Sequence, residues 1–159
     1  MYLGYQNGQI KFYSEQPLDK DIYNLDEVIE TEEEYVLDGE KYVLKDEAWE
    51  EEQEQKEKER IAKLFLTGAD VERGIYQAKG LDFDDILAFV TANPPQGLDV
   101  KALKIELKAN HFYRGNPYVS AVGALLGFSE EQLDKFFETN NYKFLINKEV
   151  LADAWVVFW

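Results

Sequence analysis

The sequence predicts an α+β protein: a small antiparallel N-terminal β-hairpin sheet, an acidic linking helix and a C-terminal bundle of short helices. Three observations lead there. Asn-Gly and Asp-Gly turns punctuate Tyr- and Val-rich runs within residues 1–45. Residues 46–66 contain no Gly or Pro and one β-branched residue, Ile61, and consist mainly of strong helix formers. Beyond them, Ser, Thr, Asp and Asn recur ahead of short apolar runs whose period is one helical turn. The expected division is a β-hairpin module at 1–45, a strut helix at 46–66, a helical bundle at 67–146 and an apolar tail at 147–159.

In the first module, Tyr2-Leu-Gly-Tyr-Gln and Gln9-Ile-Lys-Phe-Tyr13 flank Asn7-Gly8. Glu34-Tyr-Val-Leu and Glu40-Lys-Tyr-Val-Leu44 flank Asp38-Gly39. Both dipeptides tolerate the positive φ of a two-residue hairpin loop. Val28-Ile-Glu-Thr31 reads as one more short strand, with Pro17–Leu25 as a connector. A sheet this small is marginal without something packed on it, and Trp49 is the expected cover. Tyr2, Tyr5, Phe12, Tyr13, Tyr23, Tyr35 and Tyr42 crowd the module. Tyrosine suits a face that is partly packed and partly offered to a partner, which makes Tyr5, Tyr13, Tyr35 and Tyr42 candidate contact residues.

The strut from Asp46 to Leu66 is polar all round between Glu50 and Arg60, so that part has no face to bury. Glu52–Lys56, Glu54–Lys58 and Glu59–Lys63 are acid-first i,i+4 pairs, each adding about 0.2–0.5 kcal/mol. The competing reading is a disordered acidic linker. Ala48-Trp49 and Ile61, Leu64, Phe65 and Leu66 are the expected docking points at its ends.

In the bundle, Thr67 with Asp70 opens a helix that Gly80 ends. Asp82 with Asp85 opens the next, which stops at Asn93-Pro94-Pro95. Asp99 opens a third, expected to carry Val100, Leu103, Leu107 and His111 on one face. Asn116-Pro117 is a cap followed by proline at the first helical position, and this helix runs to Gly127. Ser129-Glu-Glu-Gln132 is a capping box for a fifth helix through Leu133, Phe136 and Phe137. Tyr142–Ile146 reads as a strand or a packed extension. The terminus, Trp155-Val-Val-Phe-Trp159, is apolar enough that exposure would make it adhesive. The expectation is burial either within this chain or in another copy, the second making a homo-oligomer.

Composition limits the function. With 45% hydrophobic and 14% aromatic residues the chain has the material for a core. The absence of cysteine excludes disulfides, thiol nucleophiles and thiolate metal sites. No basic n-region with an apolar core marks a signal peptide, and no run is long enough to span a membrane. Net charge is −15. Residues 1–60 hold 19 acids and 7 bases, whereas 61–159 hold 13 and 10. A field of that sign repels nucleic-acid phosphates and anionic membranes, which disfavours direct binding to either and allows a basic protein partner.

Catalytic signatures are weak. His111 is the only histidine, so any Ser-His-acid arrangement would need it, and no nucleophile motif accompanies it. A half-buried structural histidine is the plainer reading. Asp82-Phe-Asp-Asp85 offers carboxylates for a divalent ion, but acids in a first helical turn are expected from capping and the helix dipole. No catalytic residue, cofactor or metal site is therefore expected. Ala121–Phe137 has helix-turn-helix rhythm, yet its second helix carries Glu130, Glu131, Asp134 and Glu138 against Lys135, the wrong charge for reading DNA. Asn110-His-Phe-Tyr-Arg-Gly-Asn-Pro117 combines aromatics with a cation in the manner of interface hot spots. Phe112, Tyr113 and Arg114 complete the partner-binding candidates; two core aromatics at a helix end is the competing account.

Tyr-x-Asn-Gly-x-Ile-x-Phe-Tyr, Glu-Tyr-Val-Leu-Asp-Gly-Glu-Lys-Tyr-Val-Leu-x-Asp-Glu-Ala-Trp, Lys-Glu-Arg-Ile-Ala-x-Leu-x-Leu-Thr and Phe-Tyr-Arg-Gly-Asn-Pro occur in order. Leu-Gly-Phe-Ser-x-Glu-Gln-Leu-Asp-x-Phe-Phe-Glu-Thr-Asn-x-Tyr follows them. Together these segments, over residues 2–145, resemble a modular set of small phage and prophage proteins of gut Firmicutes, often encoded near tail and host-adsorption genes. The resemblance implies phage origin and a location in the host cytoplasm during infection or on the virion, and it supplies no functional residues. The expected function is non-enzymatic protein binding by an accessory or minor component of the phage tail, with a phage tail or host protein as partner. The alternative is an inhibitor of a host nucleic-acid-targeting defence system, anti-CRISPR-like, whose strut carboxylates imitate DNA phosphates. Lys56, Lys58, Arg60 and Lys63 interrupt that stripe and count against it.

Overall fold

The computed structural model describes residues 1–146. The fold is α+β, a small antiparallel β-sheet followed by six helices. Strands β1 (Tyr2–Gln6) and β2 (Gln9–Ser14) form the first hairpin. Its turn residues Asn7 and Gly8 have φ of 52° and 73°, the left-handed pair this loop requires. A bulge between Gly4 and Tyr5 shifts the register so that Tyr5 faces Ile10. Strand β3 (Glu27–Glu30) pairs with the other edge of β1, giving the order β2-β1-β3. Strands β4 (Tyr35–Asp38) and β5 (Lys41–Leu44) form a separate two-stranded sheet with Asp38 opposite Lys41. Both expected hairpins are present, but in two sheets. Leu3 and Leu25 are the buried apolar side chains of this region.

Helix α1 (Glu47–Ala62) has Asp46 accepting from the Trp49 amide at 2.9 Å, and none of its residues is buried. Trp49 is part-buried, and its indole nitrogen is enclosed with no hydrogen-bond partner among the described residues. Of the foreseen pairs, Glu52–Lys56 closes to 3.0 Å. Arg60 pairs with Glu57 at 2.6 Å and reaches Glu138 at 3.2 Å. The chain divides into two compact units, Met1–Lys56 and the residues from Glu57 onward, so the division falls inside α1.

The expected helix to Leu66 is corrected: α1 ends at Ala62, and Phe65–Thr67 is strand β6. The cause is long-range. The carbonyls of Ala62 and Leu64 accept hydrogen bonds from Gly115 and Arg114, at 3.0 and 2.8 Å. Gly115 lies so close to Ala62 that an added Cβ would meet the Ala62 methyl at 2.9 Å.

Five helices then start at the predicted caps. Helix α2 (Gly68–Lys79) is capped by Thr67 and closed by left-handed Gly80; α3 (Phe83–Ala92) has the Asp82/Asp85 capping box. Helix α5 (Pro117–Leu125) is capped by Asn116, and α6 (Glu130–Thr139) has the Ser129/Gln132 box. Helix α4 (Val100–Glu106) is capped by Asp99 but stops short of the expected His111, which lies on strand β7 (His111–Tyr113). The β7 strand pairs antiparallel with β6, Leu66 opposite Phe112. Tyr142–Leu145 is a 3-10 turn with Phe144 and Leu145 buried, the packed extension of the two options. The core gathers side chains from all these helices, with Val90, Leu103, Phe136 and Leu145 at most 2% exposed. The apolar tail 147–159 lies outside the described residues.

Candidate functional site

Within the second unit, the ribbon β6–β7 sorts its side chains by strand alternation. Leu66 and Phe112 point into the core, where Phe112 meets Phe83 edge-on at 5.7 Å. Phe65 and Tyr113 point out, each 54% exposed, with His111 exposed beside them. Phe65 sits between the other two rings, 5.6 Å from His111 and 5.8 Å from Tyr113. Rings that each offer about 150–250 Å² leave here an exposed patch on the order of 200–300 Å², which reaches only the lower edge of the roughly 300–600 Å² of the largest patch on a typical monomer.

The next residue inward is Arg114, 6% exposed. Its Nε donates to Asp134 at 2.7 Å, Nη1 to the Ser120 hydroxyl at 3.0 Å, and Nη2 to the Glu130 carbonyl at 3.2 Å. Nη2 also donates to the Glu130 carboxylate, which accepts from the Ser120 hydroxyl at 3.1 Å as well. Asn116 adds a bond to Glu106 at 3.0 Å. The hydrogen bond from Arg114 holds the Glu130 carboxyl below the usual glutamate range, against the opposing effect of partial burial. The guanidinium thus ties the end of β7 to α5 and α6 and fixes the backbone that presents Tyr113.

Three sequence expectations change as a result. Phe112 and Arg114 are withdrawn as contact residues, because alternation and the Glu130–Asp134 clamp bury both. Tyr113 alone of that trio is on the surface. His111 is neither helical nor half-buried; it is exposed on the outward face of a strand. Phe65, read beforehand as a docking residue, is the exposed centre of the aromatic face. Its alternation with Leu66 was the available signal, but three residues are too few to display a period.

Within the first unit, Tyr5, Tyr13, Tyr35 and Tyr42 are all part-buried. Tyr13 touches Tyr35 and Tyr42, ring centroids 5.7 and 6.3 Å apart, and its hydroxyl donates to the Glu33 carbonyl at 3.2 Å. Burial first, and then the Glu33 carboxylate, raise the Tyr35 hydroxyl above the ordinary tyrosine range. Tyr5 and Tyr42 line a cleft of about 250 Å³ with Ile10, Glu40 and Lys41. Residues 1–56 carry 17 acids and 5 bases.

The other foreseen motifs have structural duties. Asp82 and Asp85 cap each other's backbone amides at 2.8 and 3.1 Å. The helix-turn-helix rhythm is a helical hairpin, α5–α6, in which Glu130 and Asp134 serve Arg114 and Glu138 reaches Arg60. Among the described residues, no group of three or more His, Asp or Glu is arranged to hold a metal ion, and no helix is long and apolar enough to cross a membrane. In comparison with family models, curated proteins and solved structures, the chain matches none.

Proposed function

We propose that the protein is a non-enzymatic protein-binding component encoded by a phage, an accessory or minor part of the tail, and that the β6–β7 face is its principal contact. The aromatic face carries this reading. Phe65, His111 and Tyr113 are held in contact with one another but left to solvent, on a ribbon fixed from behind by Phe112 and Arg114. A rigid, hydrated aromatic cluster loses little conformational entropy when covered, which is why such residues dominate interface energetics. Phage origin and the tail assignment rest on the sequence resemblance.

The test is capture of partners from infected-host lysate by the full chain and by the Phe65→Ala/Tyr113→Ala variant. Recovery of a tail protein by the first and not the second supports the proposal; equal recovery overturns it.

A second reading, inhibition of a host nucleic-acid-targeting defence system by acidic mimicry, is favoured by one observation. Helix α1 buries no residue, so its seven glutamates are solvent-exposed, although Glu52 and Glu57 are neutralised by ion pairs with Lys56 and Arg60. It predicts capture of a nuclease that is lost with rising salt, as exposed charge is screened, and retained by the Phe65→Ala/Tyr113→Ala variant.

A further inference from the structure

We infer that the Tyr5–Tyr42 cleft binds an arginine side chain of a basic protein partner. This extends the protein-binding reading to a second surface and names the chemistry recognised there.

The cleft measures about 250 Å³. An enclosed cavity of about 150 Å³ accepts a benzene ring, so this solvent-open cleft has room for a guanidinium with part of its stem. Two aromatic side chains line it, and a planar cation gains from lying against tyrosine faces. Both are kept from collapsing into the space. Tyr42 packs against Tyr13, which is itself anchored on the Glu33 carbonyl, and Tyr5 is fixed by the bulge that sets it opposite Ile10. The cleft is therefore preformed.

Its electrostatics select the sign of the guest. Residues 1–56 carry a net −12, a field that concentrates cations and repels phosphates and carboxylates. Glu40 lines the cleft and offers a two-oxygen acceptor that matches the guanidinium fork. Lys41, also in the lining, opposes any cation. That opposition supplies a control: removing the Lys41 charge should strengthen binding where removing the Glu40 charge weakens it. A lysine guest presents a compact, strongly hydrated charge that neither stacks nor forks, so arginine is preferred.

The experiment is NMR titration of the full chain with N-acetyl-argininamide, its lysine counterpart and its citrulline counterpart, a neutral isostere of arginine. The expected result is saturable shifts at the amides of Gly8, Gln9 and Lys41 and the rings of Tyr5 and Tyr42. Binding should be about tenfold weaker for citrulline and weaker for lysine. Glu40→Gln should reduce affinity and Lys41→Gln raise it, and because both residues are exposed neither change disturbs the fold. Equal shifts for arginine and lysine scattered over the acidic surface, or no shifts at the cleft, would overturn the assignment. The probe contains no partner protein, and the Phe65→Ala/Tyr113→Ala variant should titrate like the parent. Failure here is thus distinct from failure of the β6–β7 proposal.

Discussion

Replacing Arg114 by Ala tests the clamp beneath the aromatic face. The side chain is 7% exposed, whereas those of Glu130 and Asp134 are 67% and 33% exposed. Removing one partner of a buried pair costs about 3–5 kcal/mol, most of it from stranding the other charge. Here the stranded carboxylates regain water, Glu130 most readily, which places the loss below that range, at about 2 kcal/mol. Ser120 also loses a partner at 3.0 Å, and the Glu130 carbonyl one at 3.2 Å. Hydrogen exchange followed by mass spectrometry reads the effect where it arises, at the α5–α6 amides such as Phe128 and Leu133, which bond to Gly123 and Ser129. A loss of that size corresponds to roughly 30-fold faster exchange wherever the opening equilibrium, rather than the opening rate, governs exchange. Arg114→Lys should fall between, since an ammonium keeps the charge but cannot fork to Asp134 and Glu130 together. Acceleration below about fivefold in Arg114→Ala would refute the claim that this guanidinium holds the hairpin.

Further outcomes follow from the same contacts. Glu130 has its pKa depressed by Arg114, so its contribution is complete above the ordinary glutamate value of about 4.3 and disappears as pH falls through the lower folded value. Thermal melts between pH 7 and pH 3 should show a shallower acid limb in Glu130→Gln, whereas an unchanged limb would remove Glu130 from the account. Gly74→Ala should destabilise by about 1–3 kcal/mol, because its Cβ would lie 2.4 Å from the Phe136 ring, itself 2% exposed. Gly123→Ala should cost less, since the atom it meets is a terminal methyl of Leu133; urea titration ranks the two, and the reverse order would contradict this packing. Phe65→Ala/Tyr113→Ala should shift stability by less than about 1 kcal/mol in the same titration, both rings being more than half exposed.

What the sequence made legible was local. Asn7-Gly8, the Thr67, Asp82, Asp99, Asn116 and Ser129 caps, and Gly80 each dictate backbone geometry within four residues, and each stands where expected. The β6–β7 ribbon was hidden because its evidence is distant. Phe65-Leu-Thr looks like the end of a helix-forming run, and His111 continues the spacing of Leu103 and Leu107. Only pairing across more than forty residues turns both segments into strands. Arg114 misled for the same reason. Its partners Glu130 and Asp134 sit one turn apart on α6, and in the sequence they read only as acids on the second helix of a helix-turn-helix rhythm. That i,i+4 acidic pair was the one clue to a buried cation. Composition singles out the tyrosines of the first module, but only the bulge at Tyr5 and the second hairpin bring Tyr5 and Tyr42 to one cleft.

Site-specific photo-crosslinking during infection tests the central claim most directly. A benzophenone side chain placed at Phe65 or Tyr113 should yield one discrete adduct with a protein partner, and none when placed at Tyr76 or Ile105, which are 61% and 70% exposed elsewhere on the same unit. Equal adducts at all four positions, or adducts only at Tyr76 and Ile105, would contradict the assignment of the β6–β7 face as the surface through which this protein works.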